Sequence, residues 1–95
     1  MTAKLVLETA LHLVGGDRNK THGSMKENHE NIAKLWNAYL YNKDSLNAED
    51  VATMMELLKI ARRKLGRFNK DDYIDGAGYA AVALECASPQ DHEDE

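Results

Sequence analysis

The chain of 95 residues has little of what several protein classes require. Its single cysteine, Cys86, excludes an internal disulfide and suits a reducing compartment. One proline and six glycines offer few tight turns, which argues against a many-stranded β-sandwich. No apolar run approaches the roughly 18 residues that a membrane span needs, and the N-terminus shows no cleavage site of a signal peptide. We therefore expect a single cytoplasmic domain.

The acidic net charge of −4 comes from the C-terminal segment. Residues 88–95 contain four of the 16 acidic residues and no Lys or Arg, so the rest of the chain has 12 acidic residues against 12 basic ones. Because residues 1–87 carry no formal net charge, the sequence gives no reason to expect sequence-specific binding of duplex DNA. We predict a helical domain over residues 1–87 and a disordered acidic tail over residues 88–95.

The spacing of apolar residues predicts four helices. Ser24, Asn47 and Asn69 are the expected N-caps of the last three, and Gly66 is expected to end the third. The predicted helices run from Ala3 to Val14, Met25 to Tyr41, Ala48 to Leu65 and Lys70 to Ala87.

Each predicted helix carries an apolar stripe that we expect to be buried. The first helix has Leu5, Leu7, Ala10, Leu11 and Val14, the second has Ile32, Leu35, Trp36, Tyr39 and Leu40, and the third has Val51, Met54, Met55, Leu58, Ala61 and Leu65. The fourth is rich in Gly and Ala, which allows another backbone or a ligand to approach closely. The fold class is thus all-α, a compact bundle of about four helices. Because so small a chain has apolar surface left to cover, we expect a homo-oligomer to complete it.

A polar, glycine-rich segment separates the first two helices. Arg18, Lys20 and His22 stand shortly before the N-terminus of the second helix, where free N–H groups and cations favour an anion. These residues are candidate phosphate ligands. The alternative is a solvated connection that follows a glycine cap.

A carboxylate of the fourth helix is the second candidate. Asp75 is flanked by small and apolar residues, and an interior carboxylate needs a partner. Lys59 and Arg62, one turn apart on the third helix, are the expected partners, and Tyr79 follows Asp75 on the same face. The group is either a ligand site or a structural ion pair between helices.

Two pairs of acidic residues could hold a metal ion. Glu27 and Glu30 lie one turn apart on the second helix, as do Asp72 and Asp75 on the fourth. Such hard oxygen ligands suit Mg²⁺ that is bound through phosphate. The alternative is a solvated helix face. The four histidines lack zinc spacing, and no Ser-His-Asp or Cys-His arrangement supports a catalytic residue.

The order of these segments resembles a family of small phage and prophage proteins that is defined only as a domain of unknown function. The resemblance extends from about Leu5 to Glu85 and implies a phage protein that acts in the host cytoplasm. It is carried by Gly16-Asp17-Arg18, His22-Gly23, Glu27-Asn28, Ile32-Ala33-Lys34-Leu35-Trp36, Glu49-Asp50-Val51-Ala52, Met54-Met55, Leu57-Leu58-Lys59-Ile60-Ala61-Arg62 and Asp72 to Ala81.

The chain is also similar to the MazG-like all-α nucleoside triphosphate pyrophosphohydrolases, helical oligomers that hold Mg²⁺ with paired acidic motifs. Glu27-x-x-Glu30 and Asp72-x-x-Asp75 would stand in for those pairs, and the similarity implies Mg²⁺ as a possible cofactor. Lys26 stands where that group has an acidic residue, which disfavours hydrolysis and leaves phosphate binding.

Three functions are compatible with these features. The leading hypothesis is a nucleotide-binding phage protein that sequesters a nucleotide, such as a cyclic nucleotide immune signal, to counter host defence. Tyr39 or Tyr79 would stack on the base. The alternatives are a Mg²⁺-dependent pyrophosphohydrolase and a protein-interaction module that uses the acidic tail.

Overall fold

The computed structural model describes residues 1–15, 24–43 and 45–88. These ranges form four α-helices and contain no strand, so the predicted all-α bundle is confirmed. The helices are α1 (Ala3–Gly15), α2 (Met25–Leu40), α3 (Ala48–Leu65) and α4 (Lys70–Ala87). Residues 16–23 and most of the predicted acidic tail, residues 89–95, lie outside the described ranges.

The helix ends follow the predicted capping residues. The Ser24 hydroxyl accepts a hydrogen bond from the Glu27 N–H, and Asn47 forms a reciprocal capping box with Asp50. Asn69 caps α4 by accepting from the Asp71 N–H. Helix α2 ends one residue earlier than predicted, because Tyr41 adopts the left-handed conformation with φ of 59°.

Helix α4 packs against the other three helices, and most extensively against α3. A four-residue connection joins α3 to α4, so the two form an antiparallel hairpin. The small residues of α4 allow close approach. A Cβ atom on Gly78 would lie 3.3 Å from a methyl group of Val14 on α1, and one on Gly76 would lie 3.8 Å from Cβ of Lys59 on α3. The predicted close approach at the Gly/Ala-rich helix is therefore found, and it is tighter at Gly78.

The two glycines are expected to respond differently to alanine. Glycine inside a helix costs roughly 0.5–1 kcal/mol relative to alanine. Gly76→Ala places its methyl group at an ordinary contact distance and should raise the free energy of unfolding by about that amount. Gly78→Ala forces Val14 to shift, which cancels much of the gain. Urea denaturation of both variants measures the difference, and equal stabilisation by the two would contradict the close packing of α1 on α4.

The buried face of α2 differs from the predicted stripe. Met25, His29, Ala33 and Asn37 face the bundle, and they follow one another at intervals of four residues. The prediction that Leu35, Tyr39 and Leu40 are buried was wrong, because all three are exposed. Two polar side chains lie on the true buried face, where each finds a hydrogen-bond partner in a backbone group. Hydropathy alone could not identify that face.

A similar displacement occurs on α3. Val51 is fully buried as predicted, together with Ala48 and Ala52. The prediction that Met54, Leu58 and Ala61 are buried was wrong, since these side chains are exposed. Val51 and Leu58 are seven residues apart and share one side of α3, so this side is covered by the bundle near the start of the helix and exposed further along it. On α1, Ala10 is buried, whereas Leu5, Leu7 and Leu11 of the predicted stripe are exposed.

Candidate functional site

A cleft of about 550 Å³ opens between the four helices. Ligand pockets in proteins typically have volumes of about 300–1,000 Å³, with apolar walls and a few convergent polar groups. The cleft fits this description. Its apolar walls come from every helix and include Leu13, Val14, Met25, Ile32, Val51, Met55, Ile74 and Val82. Its polar lining consists of Asn28, His29, Lys59, Asp75 and Tyr79.

The predicted ion pair between Lys59 and Asp75 lines this cleft. Lys59 Nζ lies 3.2 Å from Asp75 Oδ2, and the side chains are 14% and 32% exposed. Asp75 is therefore less buried than the sequence suggested. A lysine ammonium has three donors, so one can hold Asp75 while the others reach an anion in the cleft. The pair is a positioned cation beside a carboxylate that can still accept hydrogen bonds.

Aromatic rings form another part of the wall. The edge of the His29 ring meets Tyr79 with centroids 6.3 Å apart and an interplanar angle of 63°. His29 is buried, and its Nδ1 lies 2.8 Å from the Met25 carbonyl oxygen, which can only accept. Nδ1 therefore donates a proton to this bond, which fixes the orientation of the ring. Trp36 adds an indole ring, so the cleft offers flat surfaces suited to a planar ligand.

Arg62 lies outside the cleft, contrary to its predicted pairing with Asp75. Its Nε lies 3.4 Å from Oδ1 of Asp72, whose side chain is 5% exposed. This distance is that of an ion pair, but the alignment is too poor for a hydrogen bond, and Oδ1 of Asp72 has no hydrogen-bond partner among the described atoms. Asp72 is thus the deeply buried carboxylate of α4, and Arg62 compensates its charge. The pair borders a separate groove with Leu58 and Gly66.

The predicted metal ligands do not form one cluster. Glu27 and Glu30 are exposed on α2, whereas Asp72 and Asp75 each face a cation of α3. Within the described ranges, no group of three or more His, Cys, Asp or Glu side chains could hold a metal ion. The Mg²⁺ site stays a prediction.

Cys86 lines another groove, where the end of α4 and the start of α3 meet α2. Burial raises the pKa of its thiol, and the neighbouring charge of Glu85 raises it further. A raised pKa leaves less thiolate near neutral pH, so this cysteine is a poor nucleophile. It adds no chemistry to the cleft.

The predicted phosphate ligands Arg18, Lys20 and His22 lie outside the described residues. The segment that contains them joins Gly15 to Ser24. It thus follows Val14 and precedes Met25, both of which line the cleft.

Comparisons with known proteins identify the family of the chain. Residues 5–87 match the family model described as a domain of unknown function, DUF6378. The chain belongs to this family. It is 44% identical over 86 residues to the Gene 55 protein of Mycobacterium phage L5, covering 90% of the chain and 54% of that relative. It is 43% identical over 75 residues to the Gene 55 protein of Mycobacterium phage D29, covering 79% and 48%. No solved structure matches the chain.

These matches confirm the predicted resemblance to a phage family of unknown function. The chain spans about half the length of the two phage relatives that it matches. The family match covers α1 from Leu5 onward and reaches the end of α4, so it includes every helix that lines the cleft. In the described part of this DUF6378 domain, no helix is long and apolar enough to cross a membrane.

Three cleft residues of the DUF6378 domain were absent from the predicted site. Asn28 and His29 are polar residues that lie off the predicted apolar stripe of the second helix, and Trp36 belongs to that stripe. A signal for His29 exists in the sequence. His29 and Asn37 share the i, i+4 spacing of Met25 and Ala33, and this regular interval identifies the inward face of α2 despite their polarity.

Proposed function

We propose that this DUF6378 domain binds a nucleotide in the central cleft. The observation that carries the proposal is that the cleft brings together Lys59, Asp75 and Tyr79, three of the residues predicted as ligands. The first two come from facing helices and form an ion pair, and the third adds an aromatic ring one turn further along α4. A cation, an acceptor and a ring on an apolar wall are the groups that a nucleotide needs.

Each group has a distinct role in this proposal. The Lys59 ammonium binds a phosphate oxygen, and Asp75 keeps it oriented toward the cleft. The free lone pairs of Asp75 accept from a sugar hydroxyl or a base N–H. Tyr79 or Trp36 stacks on the base, a contact worth about 1–3 kcal/mol in single-stranded nucleic acid complexes. The surrounding aliphatic side chains exclude water and strengthen the charge interactions.

The biological role that we propose is sequestration of a nucleotide, for which a cyclic nucleotide signal of host defence is the leading candidate. The relatives of the chain are phage proteins, which supports a role during infection. Sequestration needs a binding site and no reacting group, and the cleft offers a cation and rings rather than a nucleophile paired with a base. The ligand would be held and returned unchanged.

Lys59→Met is expected to weaken nucleotide binding by at least tenfold. The substitution keeps the aliphatic stem and removes a charge-assisted hydrogen bond, which is worth about 1.5–3 kcal/mol. Isothermal titration calorimetry and thermal shift would be measured with linear nucleotides and with cyclic di- and trinucleotides. At a hundredfold excess over Kd, a ligand raises the free energy of unfolding by about 2.7 kcal/mol, so binding is readily visible.

Lys34→Met is the matched control, because Lys34 is exposed on α2 and lies outside the cleft. This variant should bind nucleotides like the natural chain. Equal losses of affinity in the two variants would indicate that the overall charge of the chain, and not Lys59 in particular, attracts the nucleotide. If the natural chain shows no thermal shift with any nucleotide, the proposal fails.

The second candidate is Mg²⁺-dependent pyrophosphohydrolysis. It is favoured by the carboxylates of Asp72 and Asp75 one turn apart on α4, and by Oδ1 of Asp72, which accepts no hydrogen bond from the described residues although Arg62 lies beside it. Glu27 and Glu30 are the other predicted ligands of this candidate, and they would have to move toward Asp75 to bind the same ion, since the described residues form no such cluster. The test is incubation with nucleoside triphosphates and Mg²⁺, with pyrophosphate release as the readout. Release that Asp75→Asn abolishes would establish the enzyme, whereas intact nucleotide with retained binding would favour sequestration.

A further inference from the structure

Helix α3 has an exposed apolar surface on the side away from Ala52. Met54, Leu57 and Leu58 are 41%, 57% and 43% exposed, and Ala61 is exposed beside them. Intervals of three, four and seven residues place these side chains on one side of the helix. The surface is apolar over about two turns and is exposed to solvent in the part of the chain that the structure describes.

Charged residues border this surface at both of its ends. Asp50 lies seven residues before Leu57 and Lys64 lies seven residues after it, so the three form one ridge along α3. With a rise of 1.5 Å per residue, each charge lies about 10 Å from Leu57 along the axis. Neither charged side chain makes an ion pair with the residues that the structure describes. The ridge therefore presents an acidic, an apolar and a basic side chain in that order, with equal spacing along the helix.

This arrangement is complementary to its own copy. A twofold axis near Leu57 would place Asp50 of each copy opposite Lys64 of the other, and Met54 opposite Ala61. The bulky Met54 side chain of each copy then packs on the small Ala61 of the other. Symmetry forms the Asp50–Lys64 ion pair twice, once at each end of the interface. In the parallel orientation, the acids would face each other and the bases would face each other, which is destabilising. Charge therefore selects one orientation.

We propose that a second copy of this chain packs on α3, with the two α3 helices antiparallel and Leu57 near the twofold axis. The dimer buries Leu57, Leu58, Met54 and Ala61 in one interface. Asp50 keeps its capping bond to the Asn47 N–H, since a carboxylate has acceptor sites for both. The inference stands independently of the proposed nucleotide site, because α3 directs Lys59 into the cleft on another side of the helix.

Disulfide cross-linking tests both the interface and its orientation. Leu57→Cys in a Cys86→Ser background should give a covalent dimer on mild oxidation. Lys64→Cys in the same background should stay uncross-linked, because the two copies of position 64 would lie about 21 Å apart along the axis. A disulfide needs Cα atoms within about 7 Å. Strong cross-linking at position 64 would indicate parallel helices and overturn the proposal.

Light scattering at micromolar concentration gives a second readout, with the natural chain expected to be a dimer. Lys64→Glu replaces two attractive contacts with two repulsive ones and should raise the dissociation constant at least tenfold. Lys34→Glu, on α2, is the control for net charge and should stay dimeric. Circular dichroism would verify that each variant is folded. A natural chain that is monomeric, or that dimerises without cross-linking at position 57, overturns the proposal.

Discussion

Arg62→Met is expected to lower the free energy of unfolding by about 2 kcal/mol. The side chain of Asp72 is 5% exposed, and the Arg62 guanidinium is the cation that the structure places 3.4 Å from it. Removing one partner of a fully buried ion pair costs roughly 3–5 kcal/mol, because the other charge stays buried alone. Arg62 itself is half-exposed, so solvent already screens part of the interaction and the expected loss is smaller. Urea denaturation measures it.

The double variant with Asp72→Asn separates the buried charge from lost packing. If the unpaired carboxylate causes the loss, removing its charge in the Arg62→Met background should recover about 1 kcal/mol. A double variant less stable than Arg62→Met alone would show that Asp72 is stabilised by something other than Arg62. The N-terminal turn of α4, where an acidic residue is favourable, would then be the reason.

Asn37→Ala is expected to lower the free energy of unfolding by about 3 kcal/mol. Asn37 is 4% exposed, and its amide bonds both backbone groups of Leu46. Nδ2 donates to the Leu46 carbonyl oxygen at 3.0 Å, and the Leu46 N–H donates to Oδ1 at 3.1 Å. Each bond contributes roughly 1 kcal/mol, and the backbone groups left without a partner add to the loss. The same bonds fix the chain as it enters α3.

Asn31→Ala is the matched control for Asn37→Ala. Asn31 is exposed on the same helix, so its replacement should change the stability by less than about 0.5 kcal/mol. Thermal or urea unfolding followed by circular dichroism compares the two variants directly. Similar losses at both positions would mean that the Asn37 bonds to Leu46 contribute little.

The helices could be predicted because their signals are local. Ser24, Asn47 and Asn69 cap the helices where the sequence indicated, since a short side chain bonds an N–H two or three residues away in any context. The burial of each face could not be predicted in the same way. Leu58 and Tyr39 lie on strong apolar stripes and are nevertheless exposed, because burial depends on which neighbouring helix is present.

The candidate site was predictable to the extent that one helical hairpin determines it. Lys59 faces Asp75 as expected, but Arg62 faces Asp72, three residues earlier on α4. An antiparallel hairpin requires this shift, because each step toward the end of α3 is a step toward the start of α4. The contribution of His29 to the cleft is absent from the prediction because hydropathy places a histidine outside the apolar stripe, although its spacing from Met25 and Ala33 fits the inward face of α2.

The central position of α4 also affects how the chain can fold during synthesis. Helix α1 makes its extensive contacts with α4, although some 55 residues separate the end of one from the start of the other. When α1 emerges from a ribosome, the surface of α4 on which it packs has not yet been translated. Until α4 follows, the apolar side chains of α1 stay exposed to solvent and to other proteins. The bundle therefore forms late in synthesis. Until then, the nascent chain is more exposed to chaperone binding and aggregation than the folded domain is.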